Sequence, residues 1–191
     1  MSSIFHLETE RLILRPFEER DIRPFSAYRS DPEVARYQGW EAPFSLDRAS
    51  RFVHEMMART PGEPGLWYQV ALELKEGGGL IGDCAFQRLA EDRAQAEIGF
   101  TLSRPYHGHG YAFEAVGRLL DHLFADMRLH RVRANCDPAN LASSTLLKRL
   151  GMRCEGLFVE SLWWKGSWAD EQWYAILDRE WAARRAVPPA A

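Results

Sequence analysis

Apolar positions change their period twice along this chain. Leu12-Ile13-Leu14 is an apolar run stopped by Pro16, which predicts a first strand over Leu12 to Phe17. Asp21 opens a predicted helix running to about Ser30, followed by a loop holding Pro32, Gly39 and Pro43. Ser45 is placed to cap a second helix that runs to about Arg59, where the breaker cluster Thr60 to Gly65 begins. Trp67–Leu74, Leu80–Leu89 and Gln95–Ser103 then read as three strands. Their short connections predict an antiparallel meander.

The period then lengthens. Ala112, Val116, Leu119, Leu120, Leu123 and Met127 form one apolar stripe of a helix of about four turns. Val132–Cys136 is a short strand. Asn140 opens a further helix with Ala142, Leu146, Leu147 and Leu150 on its apolar face and Gly151 at its end. Cys154–Trp164 and Trp168–Leu177 close the series as two strands. The order βααβββαβαββ predicts an α/β fold, one mixed, mostly antiparallel sheet with helices on both faces. A single domain over residues 8–180 is expected, with residues 181–191 as a partly disordered C-terminal extension ending in AVPPAA.

Composition narrows the function. The 191 residues are 46% hydrophobic and 27% charged, which is globular composition. A net charge of −3 argues against nonspecific nucleic-acid or anionic-lipid partners, and no stretch reaches the ~18 apolar residues of a membrane span. The N-terminus lacks a secretory pattern. Cys84, Cys136 and Cys154 are odd in number, widely spaced and without a CxxC pair. They read as strand or core residues of a cytoplasmic, reducing-compartment protein.

The chemistry concentrates in Ser103 to Ala115, a strand–loop–helix junction with glycines at 108 and 110. Such glycines allow close backbone approach, and the helix start supplies unpaired N–H groups and a positive dipole end, together a phosphate site. No Lys-Ser or Lys-Thr follows, so the P-loop is excluded. Phe113 holds the place of the third small residue of a dinucleotide fingerprint. A glycine turn capping a buried helix remains the plain alternative, as does a simple dipole interaction for Glu114. His107 and His109 lack a third ligand, so no metal is expected.

Gly108-His109-Gly110-Tyr111-Ala112-Phe113-Glu114-Ala115 resembles the acyl-CoA loop of the GNAT superfamily of N-acetyltransferases, above all its ribosomal-protein N-terminal acetyltransferase subgroup. Glu10 to Pro16, Leu80-Ile81-Gly82, Ala96 to Phe100, Asn140 to Ser143 and Lys148 to Met152 with Glu155-Gly156 resemble further segments of that subgroup in order. The loop departs from the family in carrying Pro105 where Gln or Arg is usual. Arg104, one place early, is left as a candidate phosphate partner.

The resemblance implies acetyl transfer from acetyl-CoA to a primary amine, of a protein N-terminus or a small molecule, by direct attack in a ternary complex. It implies cofactor contacts at Phe100, Thr101 and Leu102 along the strand, at Tyr106, His107, Gly108, His109, Gly110, Tyr111 and Ala112 in the loop, and at Asn140, Ser143 and Leu147 on the later helix. Glu97 is the candidate base. By period two it shares a strand face with Gly99 and Thr101. A partly buried carboxylate with a raised pKa suits an ammonium proton. Glu160, among Phe158, Val159 and Leu162, is the second candidate and is expected half-buried. Ser143 is the candidate acid, ahead of Ser144, which points about 100° away around the helix. Trp40, Phe44, Trp163, Trp164, Trp168, Trp173 and Tyr174 read as core, homodimer contact or the apolar wall of an acceptor pocket. A CoA-binding module without catalysis and a nucleotide-dependent transferase are the competing readings.

Overall fold

Strand pairing explains the architecture of the computed structural model, which describes residues 5–186. The elements are β1 (Leu7–Glu8), β2 (Leu12–Arg15), α1 (Ile22–Arg29), α2 (Pro32–Ala35), α3 (Leu46–Ala58), β3 (Tyr68–Leu74), β4 (Leu80–Arg88) and β5 (Gln95–Leu102). They continue with α4 (Tyr111–Asp121), β6 (Arg131–Cys136), α5 (Leu141–Arg149), β7 (Arg153–Trp164), β8 (Ser167–Leu177) and α6 (Asp178–Ala186). The eight strands form one sheet in the order β1-β2-β3-β4-β5-β6-β8-β7. Every pairing is antiparallel except β5 with β6. The expected meander is present as β3-β4-β5.

The parallel junction positions the site. β5 and β6 pair only at Gln95↔Arg131, Ala96↔Val132 and Glu97↔Arg133. Beyond that point β5 continues beside β4 to Leu102, and β6 continues beside β8 to Cys136. The sheet therefore splits just past Glu97, leaving one edge of Ile98–Leu102 without a strand partner.

Period-two alternation feeds two cores. Val70 and Leu72 join a cluster with Val116, Leu119, Leu120 and Leu147, whereas Ala71 between them joins Phe25, Tyr28, Val53 and Met56. The sheet thus carries helices on both faces, as the pattern predicted. Across the Phe25 side runs a buried ion network. The Arg15 Nη1 and Nη2 donate to Asp21 at 2.7 and 2.9 Å, and Arg15 also pairs with Glu73.

Three expectations need correction. The folded domain does not end near residue 180, because α6 runs to Ala186. Trp181 is buried and donates its indole N–H to Asp121 Oδ1 at 2.9 Å. An apolar anchor within an otherwise polar segment explains why composition suggested a tail; residues 187–191 lie outside the described residues. The predicted four-turn helix ends as α4 at Asp121, and a single π-type turn over His122–Asp126 completes it. The predicted loop after α1 contains α2, with Asp31 accepting from the Glu33 N–H and Pro32 in its first turn.

Candidate active site

A groove of about 370 Å³ lies between the Ser103–Tyr111 segment, the free edge of β5 and the start of α5. Gly108 and Gly110 both adopt left-handed backbone, with φ of 80° and 82°. Nothing lies within 4 Å of a Cβ built on Gly108, so backbone there is open to a ligand. Glu114 N–H makes the first helical bond of α4, to Gly110 O at 3.1 Å. The amides from Gly108 to Phe113 find no protein acceptor among the described residues. They lie at a helix N-terminus, which suits a diphosphate. Tyr106 and His107, expected to offer amides as well, do not. Their N–H groups are used on Ser103 and Arg104 carbonyls, at 3.0 and 3.1 Å, in a short 3₁₀ turn that Pro105 favours.

Side chains brace this loop. His107 Nε2 lies 2.9 Å from Leu102 O, and His109 Nδ1 lies 2.9 Å from His107 O. The His109 ring stacks on Tyr111. Among the described residues no group of three or more His, Cys, Asp or Glu could hold a metal. Arg11, ninety-eight residues earlier, donates to His109 O at 3.0 Å and to Glu114 Oε2 at 2.7 Å, and its guanidinium sits over the Tyr111 ring. The Arg11 amide also donates to Glu114 Oε1 at 2.8 Å. Glu114 is therefore an anchor to β2 as well as a first-turn acid, a link with no local sequence signal.

On α5, Asn140 caps the helix by accepting from the Ser143 N–H at 3.1 Å, and both residues line the groove. Ser144 is buried, bonded back to Leu141 O, and does not line the groove. Leu147 does not reach the groove. It is fully buried in the core, and Ala142 and Leu146 line the groove instead. Arg104 turns to Asp31, at 2.9 Å, rather than to the loop. The cation on the groove wall is Arg149, beside Phe113.

A second cavity, of about 510 Å³, lies along the same split. It shares Tyr37, Gln38, Phe100, Thr101, Asn140 and Ser143 with the groove, so the two volumes meet there. Glu97 lines it, accepting from Arg133 Nε at 3.0 Å. Burial pushes the Glu97 carboxyl above its ordinary pKa; Arg133 opposes that shift, and Glu171 adds to it by like charge. Glu160 is corrected: it is exposed, at a register irregularity of β7, and lines neither volume. β7 is an edge strand with little packed on either face. Its apolar neighbours Phe158 and Val159 are themselves exposed, so they provide no shelter. Glu171 on β8 also lines the cavity, held by Asn135 Nδ2 at 2.7 Å and Ser161 Oγ at 3.0 Å. Tyr37, whose hydroxyl reaches Ala139 O at 3.4 Å, is a further groove residue that sequence reasoning missed. Trp40 and Trp164 line this cavity, whereas Trp163 and Trp168 are exposed and pack on each other.

A split sheet with a strand edge facing a glycine-loop helix start leaves an elongated groove that opens into a second volume. The sequence of the acetyltransferase (GNAT) domain matches residues 11–153, and the chain belongs to the GNAT acetyltransferase family. It is similar to the uncharacterized N-acetyltransferase YnaD of Bacillus subtilis (strain 168), 35% identical over 176 residues, covering 92% of this chain and 99% of the relative. It is 24% identical over 194 residues to the ribosomal protein uS5-alanine N-acetyltransferase of Escherichia coli (strain K12), covering 94% of each. The crystal structure of a GNAT-family acetyltransferase from Bacillus anthracis superposes with a TM-score of 0.82 at 31% identity, over 92% of this chain and 99% of that one. The chain is thus an acetyltransferase by family.

Proposed function

We propose that the groove holds acetyl-CoA and that a primary amine in the cavity attacks the thioester directly in a ternary complex. The meeting of the two volumes at Phe100, Thr101, Asn140 and Ser143, with Glu97 where the sheet begins to split, carries this reading. The free amides from Gly108 to Phe113 would hold the diphosphate. The edge of Phe100, Thr101 and Leu102, which no strand pairs and only the Gln38 and His107 side chains touch, would take the pantetheine arm as an added strand. Glu97 would receive the ammonium proton, directly or through water, and Ser143 would return one to the departing thiolate. The acceptor is a protein N-terminus or a small amine.

Absence of a membrane-length apolar helix among the described residues and three free cysteines suit a cytoplasmic enzyme. A homodimer would cover the exposed Leu157, Phe158 and Val159 of edge strand β7. The ion pair of Glu97 with Arg133 is the one observation that favours the alternative, a CoA-binding module without turnover.

Thiol release from acetyl-CoA, followed with an amine panel from pH 5 to 9, tests the reading. The base must be ionised, so activity falls as pH drops through the Glu97 pKa. Because burial raises that pKa, the acid limb is shifted upward from that of an ordinary glutamate. Glu97→Gln should lower kcat at least about tenfold and remove that limb. Unchanged turnover and an unchanged profile would exclude Glu97 as base; CoA binding with no turnover on any amine would establish the alternative.

A further inference from the structure

The chemistry of the acceptor cavity is one-sided. Five carboxylates line it, from Asp83, Glu97, Asp137, Asp170 and Glu171, against the single guanidinium of Arg29. That guanidinium is engaged inside the wall. Arg29 is 4% exposed, stacks 3.8 Å from the Trp40 ring centroid and 4.2 Å from that of Phe25, and faces Asp83 at 3.5 Å and Gln69 at 3.2 Å. Its Nε is buried without a partner. Arg133 is likewise engaged, between Glu97 and the Trp173 ring. Among the described residues, Asp137, Asp170 and Glu171 have no cationic partner. Their hydrogen bonds come from neutral donors: the Ala139 amide, the Glu160 amide, and Asn135 with Ser161.

The remaining wall also suits a cation. Trp67 and Trp164 line the cavity, and no arginine or lysine of the described residues stacks on either. Indole faces attract ammonium groups, and their area suits an aliphatic chain. The cavity is bridged on the side of α2 and the β7–β8 turn. Lys165 Nζ donates to Ala35 O at 2.8 Å and to Trp40 O at 2.9 Å, and Trp164 lies 3.4 Å from a Cβ position on Gly39. Arg133 holds Glu97 from the β5 side, and Asn135, two residues further along β6, holds Glu171 from the β8 side.

Resting on the acetyl-transfer reading above, we propose that the acceptor is a small amine bearing a second positive charge a few carbons from the reacting nitrogen. Glu171, assisted by Asp170, is the specificity-determining residue that holds the second charge while the first nitrogen lies by Glu97. A volume of about 510 Å³ accommodates such a molecule with water.

Steady-state thiol release from acetyl-CoA tests this with four probes: 1,4-diaminobutane, n-butylamine, 5-aminopentanoate and an alanine-starting pentapeptide. The diamine is expected to exceed the monoamine at least tenfold in kcat/KM, and the aminocarboxylate to be the poorest. Glu171→Gln should shrink the diamine-to-monoamine ratio about tenfold, chiefly through KM, and Asp170→Asn should shrink it less. A merely structural role would lower all acceptors together and leave the ratio unchanged, which overturns the assignment. Equal or better turnover of the monoamine or the peptide also overturns it, while leaving acetyl transfer standing. No release with any probe, with CoA binding intact by calorimetry, overturns the transfer reading and this inference with it.

Discussion

Replacing Arg11 with alanine tests how the glycine loop is kept in shape. The substitution removes the donor to His109 O, the pair with Glu114 and the cover over Tyr111, but leaves the Arg11 amide on Glu114. The Arg11 side chain is 41% exposed, so the ion pair lies near the solvent-screened range of ~0.2–1 kcal/mol. The bond to the carbonyl adds about 1 kcal/mol. The total is about 1–2 kcal/mol of loop order. In the variant, CoA binding must order the loop itself, so that deficit falls on affinity. At ~1.4 kcal/mol per decade, the CoA dissociation constant should rise about 5- to 30-fold. Calorimetric titration with CoA measures it, with thermal melting beside it. Arg11→Lys keeps the charge and loses the fork, and should recover only part of the loss. An unchanged dissociation constant in both variants, with a lowered melting temperature, would show that Arg11 only holds β2 to α4 and does not shape the loop.

Asp21→Ala should lower the melting temperature by roughly 6–12 °C. It strands the buried Arg15, at a cost of about 3 kcal/mol even with Glu73 retained, in a chain of this size. Ser143→Ala should slow acetyl transfer about tenfold or more, whereas Tyr37→Phe should change it less than threefold; the reverse result would move proton delivery to Tyr37. Glu155, held down to about 2 by Arg131 and Arg153, supports the fold above its ordinary pKa near 4.5, and that support is lost as pH falls through about 2. The melting-temperature gap between the native chain and Glu155→Gln should therefore close between pH 4.5 and pH 2. A gap that persists at pH 2 would show that the pair adds nothing.

Local pattern determined most of the elements and their order, though not β1, α2 or α6. The period of α4, the caps at Ser45 and Asn140, and the short turns of the meander each depend on residues a few positions apart, so one sequence suffices to read them. It also determined the glycine turn that opens α4, because glycines before a helix do the same thing wherever the helix goes. Tertiary structure decided what depends on residues far apart. It bound Arg11 to His109 and Glu114, and it turned Arg104 toward Asp31. Leu147 sits in the core rather than at the groove because one helix has several apolar faces, and only packing selects which one meets the sheet. Glu160 and Glu171 look alike in sequence. β7 lies at the sheet edge and β8 inside it, and that alone gives Glu171 the cavity and leaves Glu160 in water. Burial and charge environment belong to strand order, which the spacing of residues along one chain does not contain.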